Sequence, residues 1–265
     1  MSFINNNWWV IPILITGFSG ALCPAMGTVL ITHKRLLQVN LISHCVLPGL
    51  ALAIALGVDA SIGGVVSGLL GALLAEKMTN KQNENYAAIM NTILAGSLGL
   101  GIILIPLLGI RIDLESVLFG DLLTSNWGDL YRNLIASIMF SSLIIFAYDK
   151  LVYVGLDPEG AEANGINVSF LNLVLGFTTA LVIVSSMAAV GVILVIALLS
   201  APALLGLIQA SSLRDAMIRS SIFGFIISIL GFLLSIMFNL APGPLISVLC
   251  VASLLLIKQN KLFNS

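Results

Sequence analysis

Charged residues are what this chain has least of. They make up 9% of its 265 residues, against 59% hydrophobic ones, and so little polar surface cannot cover a water-soluble globule. The long apolar runs also lack the alternation of a lipid-facing barrel strand, which leaves an all-α, polytopic transmembrane helical bundle. Each run has about 15 to 25 residues, enough at ~1.5 Å per residue to cross ~30 Å of hydrocarbon. The start lacks a basic segment: residues 1–7 carry no charged side chain and Trp8 and Trp9 follow, so an interfacial anchor on a first span is expected, not a cleaved signal. Cysteine is sparse, and Cys23, Cys45 and Cys250 lie singly in apolar runs, where they read as small core residues. No Gly-x4-Gly-Lys-[Ser/Thr] phosphate loop occurs, nor paired carboxylates, a nucleophile with its base, or a Cys/His cluster at zinc spacing. No catalytic residue, resident cofactor or nucleic-acid partner is therefore expected.

What is there falls into apolar spans near residues 9–31, 36–58, 60–75, 86–110, 130–148, 170–187, 190–208, 221–238 and 245–257. The third and last are short, so eight or nine crossings are expected within one transmembrane domain over residues 1–265. The third is also rich in glycine (Gly63, Gly64, Gly68, Gly71), which suits close helix contact better than lipid contact. Basic residues concentrate in cytoplasmic loops, and this fixes an expected direction. With the N-terminus outside and the C-terminus cytoplasmic, Lys34, Arg35, Lys77, Lys81, Lys150, Arg214, Arg219, Lys258 and Lys261 share the inner side, leaving only Arg111 and Arg132 outside. The outer side then holds Asp59, Asp113, Glu115, Asp121 and Asp129. Such an acidic face either attracts cations or is a solvated rim.

Every Asp, Glu, Lys and Arg lies in a loop or at a span end, but His44 follows Arg35 by nine residues, roughly 13 Å along a helix and near the bilayer middle. Ionisable residues at that depth mark substrate routes. Asn40 stands one turn earlier on the same face. Pro48, four residues on, has no N–H to offer the His44 carbonyl, so that oxygen is open to a ligand, a water or another helix. Imidazole nitrogen, amide oxygen and a bare carbonyl suit a divalent cation of zinc or manganese type. A histidine satisfied by interhelical hydrogen bonds is the other reading. Pro24 and Pro202 repeat the device and predict kinked or broken helices.

A polar island, Leu156-Asp157-Pro158-Glu159-Gly160-Ala161-Glu162-Ala163-Asn164-Gly165, interrupts two long apolar runs, and the basic-residue rule puts it in the cytoplasm. Its Glu159, Ala161 and Gly165 form the pattern Glu-x-Ala-x3-Gly, with Asp157-Pro158 ahead. In this the chain resembles the membrane permeases of metal-type ABC importers, which take up zinc, manganese and sometimes iron. Further segments are similar in the same order: Gly27 through Lys34-Arg35 to Ser43-His44-Cys45-Val46-Leu47-Pro48-Gly49, then Leu118-Phe119-Gly120-Asp121, Val190-Gly191-Val192 through Ala201-Pro202-Ala203, and Pro242-Gly243-Pro244.

The resemblance implies that Asp157, Glu159, Ala161 and Gly165 lie in a short helix that docks on a separate ATP-binding subunit. It also implies an extracytoplasmic metal-binding protein, a second copy of the permease, and a multi-pass location in the plasma membrane. One position departs from the family pattern. Where the family has Gly-Asp before the Ser-His, this chain has Val39-Asn40, and an amide replaces the carboxylate that would share the cation with His44. The cargo class implied is a divalent transition metal, manganese or zinc. A secondary carrier would be expected to show intramembrane carboxylates or an inverted repeat, and neither is present. A noncatalytic scaffold is the other rival, and a siderophore or cobalamin permease would have a longer chain.

Overall fold

A computed structural model describes residues 9–78, 86–110, 119–120, 122, 125–208 and 210–263. Among these the fold is helical: α1 (Val10–Thr32), α2 (Leu36–Ala55), α3 (Ala60–Met78), α4 (Tyr86–Leu107), α5 (Trp127–Leu156), α6 (Pro158–Ala163), α7 (Val168–Val190), α8 (Val192–Leu207), α9 (Leu213–Phe238) and α10 (Pro242–Phe263). Six helices are long and apolar enough to cross a membrane, and residues Ala60–Ala75, Val192–Leu207 and Pro242–Leu255 form three shorter apolar ones.

Several helices outrun the apolar runs that announce them. The run at 130–148 lies inside the thirty-residue α5, because Asp149 and Lys150 mark where hydrocarbon ends and not where hydrogen bonding does. Its start is set by Asn126, whose Oδ1 accepts from the Gly128 and Asp129 amides at 2.7 and 3.2 Å. Likewise α9 begins ahead of residue 221, where the Ser212 hydroxyl caps it by accepting from the Asp215 amide at 3.2 Å. The left-handed Asn239 ends it, with the Leu240 amide returning to the Ser235 carbonyl at 3.0 Å.

The chain divides into two compact units. One comprises Leu30–Leu114 and Met139–Val184. In it α2 packs against both α3 and α4, around Leu41, Cys45, Ala75 and Met90. The α3 glycines are what let α2 approach. A methyl on Gly63 would strike the Gly49 carbonyl and one on Gly49 the Gly63 carbonyl, while Gly64, Gly68 and Gly71 face Val46, Ile42 and Cys45. The opposite side of α3 exposes Ile62, Val66, Leu70, Leu74 and Met78 at four-residue spacing, a face suited to lipid.

The other unit comprises Met1–Val29, Glu115–Ile138 and Ser185–Ser265. Here α8 packs on α9 and α10. Gly27 of α1 lies against the Leu199 carbonyl, and Gly20 and Gly224 leave each other room in the same reciprocal way. Only Gly191, at φ 83°, separates α7 from α8, whereas Pro24 and Pro202 lie inside the continuous α1 and α8. A methyl on Gly191 would fall on the Phe119–Gly120 peptide, one on Gly120 (φ 75°) on the Val190–Gly191 peptide, and one on Gly243 on the Phe119 carbonyl. Three short motifs far apart in sequence thus meet backbone to backbone. Both positive-φ positions require glycine.

Candidate metal lane and docking turn

Asn40 and His44 lie on α2, and Pro48 sits inside the same unbroken helix. Between residues 40 and 48 every position is buried except Asn40, His44 and Pro48, which are half-buried. Their four-residue spacing makes them one lane, on the part of α2 that its neighbours leave partly open. The His44 Nδ1 is itself buried and has no hydrogen-bond partner among the described residues. An imidazole nitrogen in that condition pays desolvation without return unless something else meets it. Pro48 removes the helix donor from the His44 carbonyl, so two acceptors are presented one turn from the Asn40 amide. Imidazole nitrogen, carbonyl oxygen and amide oxygen are donor types that a divalent ion accepts.

Among the described residues no group of three or more His, Cys, Asp or Glu side chains could hold a metal. Cys45, next to His44, is committed elsewhere: its thiol donates to the Ser97 hydroxyl at 3.1 Å and packs where Gly71 leaves space. Cys23 donates to Ser186 at 3.5 Å, and Cys250 is buried and unbridged.

The polar interruption folds as α6 with both ends closed by its own residues. Asp157 is the N-cap, accepting from the Gly160 amide at 2.9 Å, and Pro158 occupies the first helical position. At the other end the Ile166 amide reaches the Ala161 carbonyl at 3.1 Å and the Gly165 amide the Glu162 carbonyl at 3.0 Å. That pair of bonds is a Schellman motif with Gly165 at its left-handed position, φ 79°. No atom lies within 4 Å of where a Gly165 side chain would begin, so its requirement is conformational, about 1–2 kcal/mol for another residue. Ala161 is fully buried, whereas Asp157, Glu159 and Gly165 are exposed. The Glu-x-Ala-x3-Gly pattern is thus an outward carboxylate, an inward methyl and a chain-reversing glycine.

Three participants carry no signal in that pattern. Gly160 accommodates the capping carboxylate, which a methyl there would strike. The Asn164 amide donates to the Tyr153 hydroxyl at 2.7 Å and to the Gly160 carbonyl at 2.8 Å, strapping α6 back onto α5. The cue for Gly160 was its place three residues after Asp157; nothing singled out Tyr153.

Of the acids expected on the outer face, Asp113, Glu115 and Asp121 lie outside the described residues. Asp59 and Asp129 serve helix starts: Asp59 accepts from the Ser61 amide at 2.8 Å. Asp129 accepts from the Asn126 amide at 3.0 Å and pairs with Arg132 at 3.1 Å. For these two the capping role accounts for the carboxylate.

Residues 6–261 match the model of the ABC 3 transport family. The manganese transport system membrane protein MntC of Listeria monocytogenes is 32% identical over 257 residues, covering 95% of this chain and 92% of that one. The high-affinity zinc uptake system membrane protein ZnuB of Haemophilus influenzae is 32% identical over 258 residues, 94% of this chain and 96% of that one. Among solved structures, PsaBC from Streptococcus pneumoniae in complex with Fab superposes with a TM-score of 0.85 at 30% identity, covering 94% of this chain and 90% of that one. With its apolar helices, this places the protein in the plasma membrane as a multi-pass component. The chain belongs to the ABC 3 transport family, the metal-ion permeases of ABC importers.

Proposed function

We propose that this chain imports a divalent transition metal, manganese or zinc, as one of two permease copies served by a separate ATP-binding subunit and an extracytoplasmic metal-binding protein. His44 and Asn40 line the route, the His44 carbonyl adds an oxygen freed by Pro48, and the turn bearing Asp157, Glu159, Ala161 and Gly165 receives the ATP-binding subunit. ATP hydrolysis belongs to that subunit. The observation that carries the reading is the buried, unpartnered Nδ1 of His44 on a half-open lane.

The proposed direction puts the N-terminus outside and the C-terminus in the cytoplasm, which requires an odd number of crossings, nine of the eight or nine expected. Two contacts fit its grouping of the loops on shared sides, while the direction itself rests on the basic residues. His33 and Gly155, both assigned to the inner side, lie against each other. Gly120, Gly191 and Gly243, all assigned to the outer side, do the same. The relatives' names support both manganese and zinc as cargo.

The test is uptake of labelled manganese and zinc by proteoliposomes holding the chain with its ATP-binding subunit, the metal-binding protein supplied outside. Accumulation that requires ATP is expected. Uptake driven equally well by an ion gradient without ATP would sink the proposal.

A further inference from the structure

We infer that His33 is the positioning residue through which the docking turn moves the cargo-bearing helix α2; this rests on the permease reading above. The joint between α1 and α2 is a Schellman turn, with the Lys34 amide on the Ile31 carbonyl at 3.0 Å and the Arg35 amide on the Leu30 carbonyl at 2.8 Å. Its left-handed position is Lys34, at φ 56°. Equivalent turns elsewhere in the chain place Gly57, Gly109 and Gly165 there, at φ 70°, 65° and 79°. A lysine held where glycine serves three other turns is strained backbone, which persists only where its surroundings impose it.

What the turn touches is the root of the docking helix. A methyl built on Gly155 would lie 3.4 Å from both Cδ2 and Nε2 of His33 and 3.8 Å from the Thr32 carbonyl oxygen. The ring therefore lies over the Gly155 backbone, where an added methyl would meet it at van der Waals contact and further atoms would crowd it. Gly155 and α6 move together, because the Asp157 amide continues α5 by bonding the Tyr153 carbonyl at 2.9 Å and Asn164 ties the far end of α6 to the Tyr153 hydroxyl.

On the other side, the turn is fixed to α2. Arg35 is buried, its Nη1 donates to the Gln38 Oε1 at 3.4 Å, and the Gln38 amide donates to the Arg35 carbonyl at 3.0 Å. Asn40 and His44 follow within the next two helical turns. A displacement of α6 reaches His33 through its contact with Gly155, and His33 hands it to a joint that carries the strained Lys34. That is a continuous mechanical connection from docking surface to metal lane within one compact unit.

The experiment measures metal transported per ATP hydrolysed by the full complex in proteoliposomes, with labelled manganese and zinc. His33→Ala should copurify with the ATP-binding subunit and retain basal ATP hydrolysis, while metal per ATP falls about fivefold or more. His33→Gln, which keeps a planar polar group over Gly155, should stay near wild type. Gly155→Val should lower the ratio as His33→Ala does, and the double variant Gly155→Val with His33→Ala should recover most of it. The inference is overturned by a wild-type ratio in His33→Ala, or by a double variant no better than its parents. Loss of the ATP-binding subunit from His33→Ala also overturns it, since His33 would then serve assembly. A wild-type chain that brings down no ATP-binding subunit removes the permease reading and this inference with it.

Discussion

The turn at residues 157–165 and the lane at residues 40–48 are polar regions of an apolar chain, built in opposite ways. The turn is exposed and closes its helix ends from within: Asp157 caps one, Gly165 reverses the other, and Asn164 ties it to Tyr153. The lane is half-buried and leaves the His44 Nδ1 without a partner. A surface that must present one shape to another protein gains from being finished beforehand. On the proposed function, a site that takes and releases an ion gains from being left unfinished.

The comparison breaks most sharply at His44. His44→Ala should reduce ATP-dependent metal uptake about 100-fold, while the ATP-binding subunit still copurifies at wild-type yield. Normal uptake by that variant would take the lane out of the mechanism. The converse change, Glu159→Ala with Gly165→Ala, should remove the ATP-binding subunit from the purified complex, because the outward carboxylate goes and the turn takes on about 1–2 kcal/mol of strain. A complex of undiminished yield would mean that docking lies elsewhere.

Smaller changes sharpen the contrast. Asn40→Asp supplies a hard oxygen and a negative charge one turn from the imidazole, so manganese uptake should rise several-fold relative to zinc. An unchanged ratio in parallel uptake assays would show that residue 40 does not set selectivity. The smallest effect belongs to the cap. Asp157→Ala should cost the turn about 1 kcal/mol and Asp157→Asn much less, read as faster amide exchange over residues 158–163.

The sequence disclosed the docking turn more fully than the lane. Proline, glycine and a capping carboxylate act on neighbouring residues, so Asp157-Pro158 and Gly165 announce a short capped helix wherever they stand. The lane was legible as far as its members, since a histidine deep in an apolar run is conspicuous. What could not be read there was which side of α2 stays open, because that depends on the α3 glycines and on α4. The packing of α2 on Gly63, Gly64, Gly68 and Gly71 was foreshadowed by their number, but not the reciprocal seat of Gly49 against Gly63. Helix ends set by hydrogen bonding, as at Asn126 and Ser212, lie ahead of the apolar runs at 130 and 221, because hydropathy marks the hydrocarbon boundary and not the cap. His33 and Gly155 gave no signal, for a basic turn residue and a glycine near a helix end are ordinary in isolation.

The glycine contacts of α1 carry a consequence for how the protein is made. This helix leaves the ribosome before α8 and α9, yet the residues that Gly20 and Gly27 lie against, Gly224 and Leu199, belong to those two helices. The unit holding α2, α3 and α4 is fully synthesised at Val184, whereas the unit holding most of α1 awaits Ser185–Ser265. During synthesis α1 therefore stands in the bilayer with its glycine face against lipid or an insertion factor while the other unit can already pack. A later stretch of chain closes the unit that an earlier one opens.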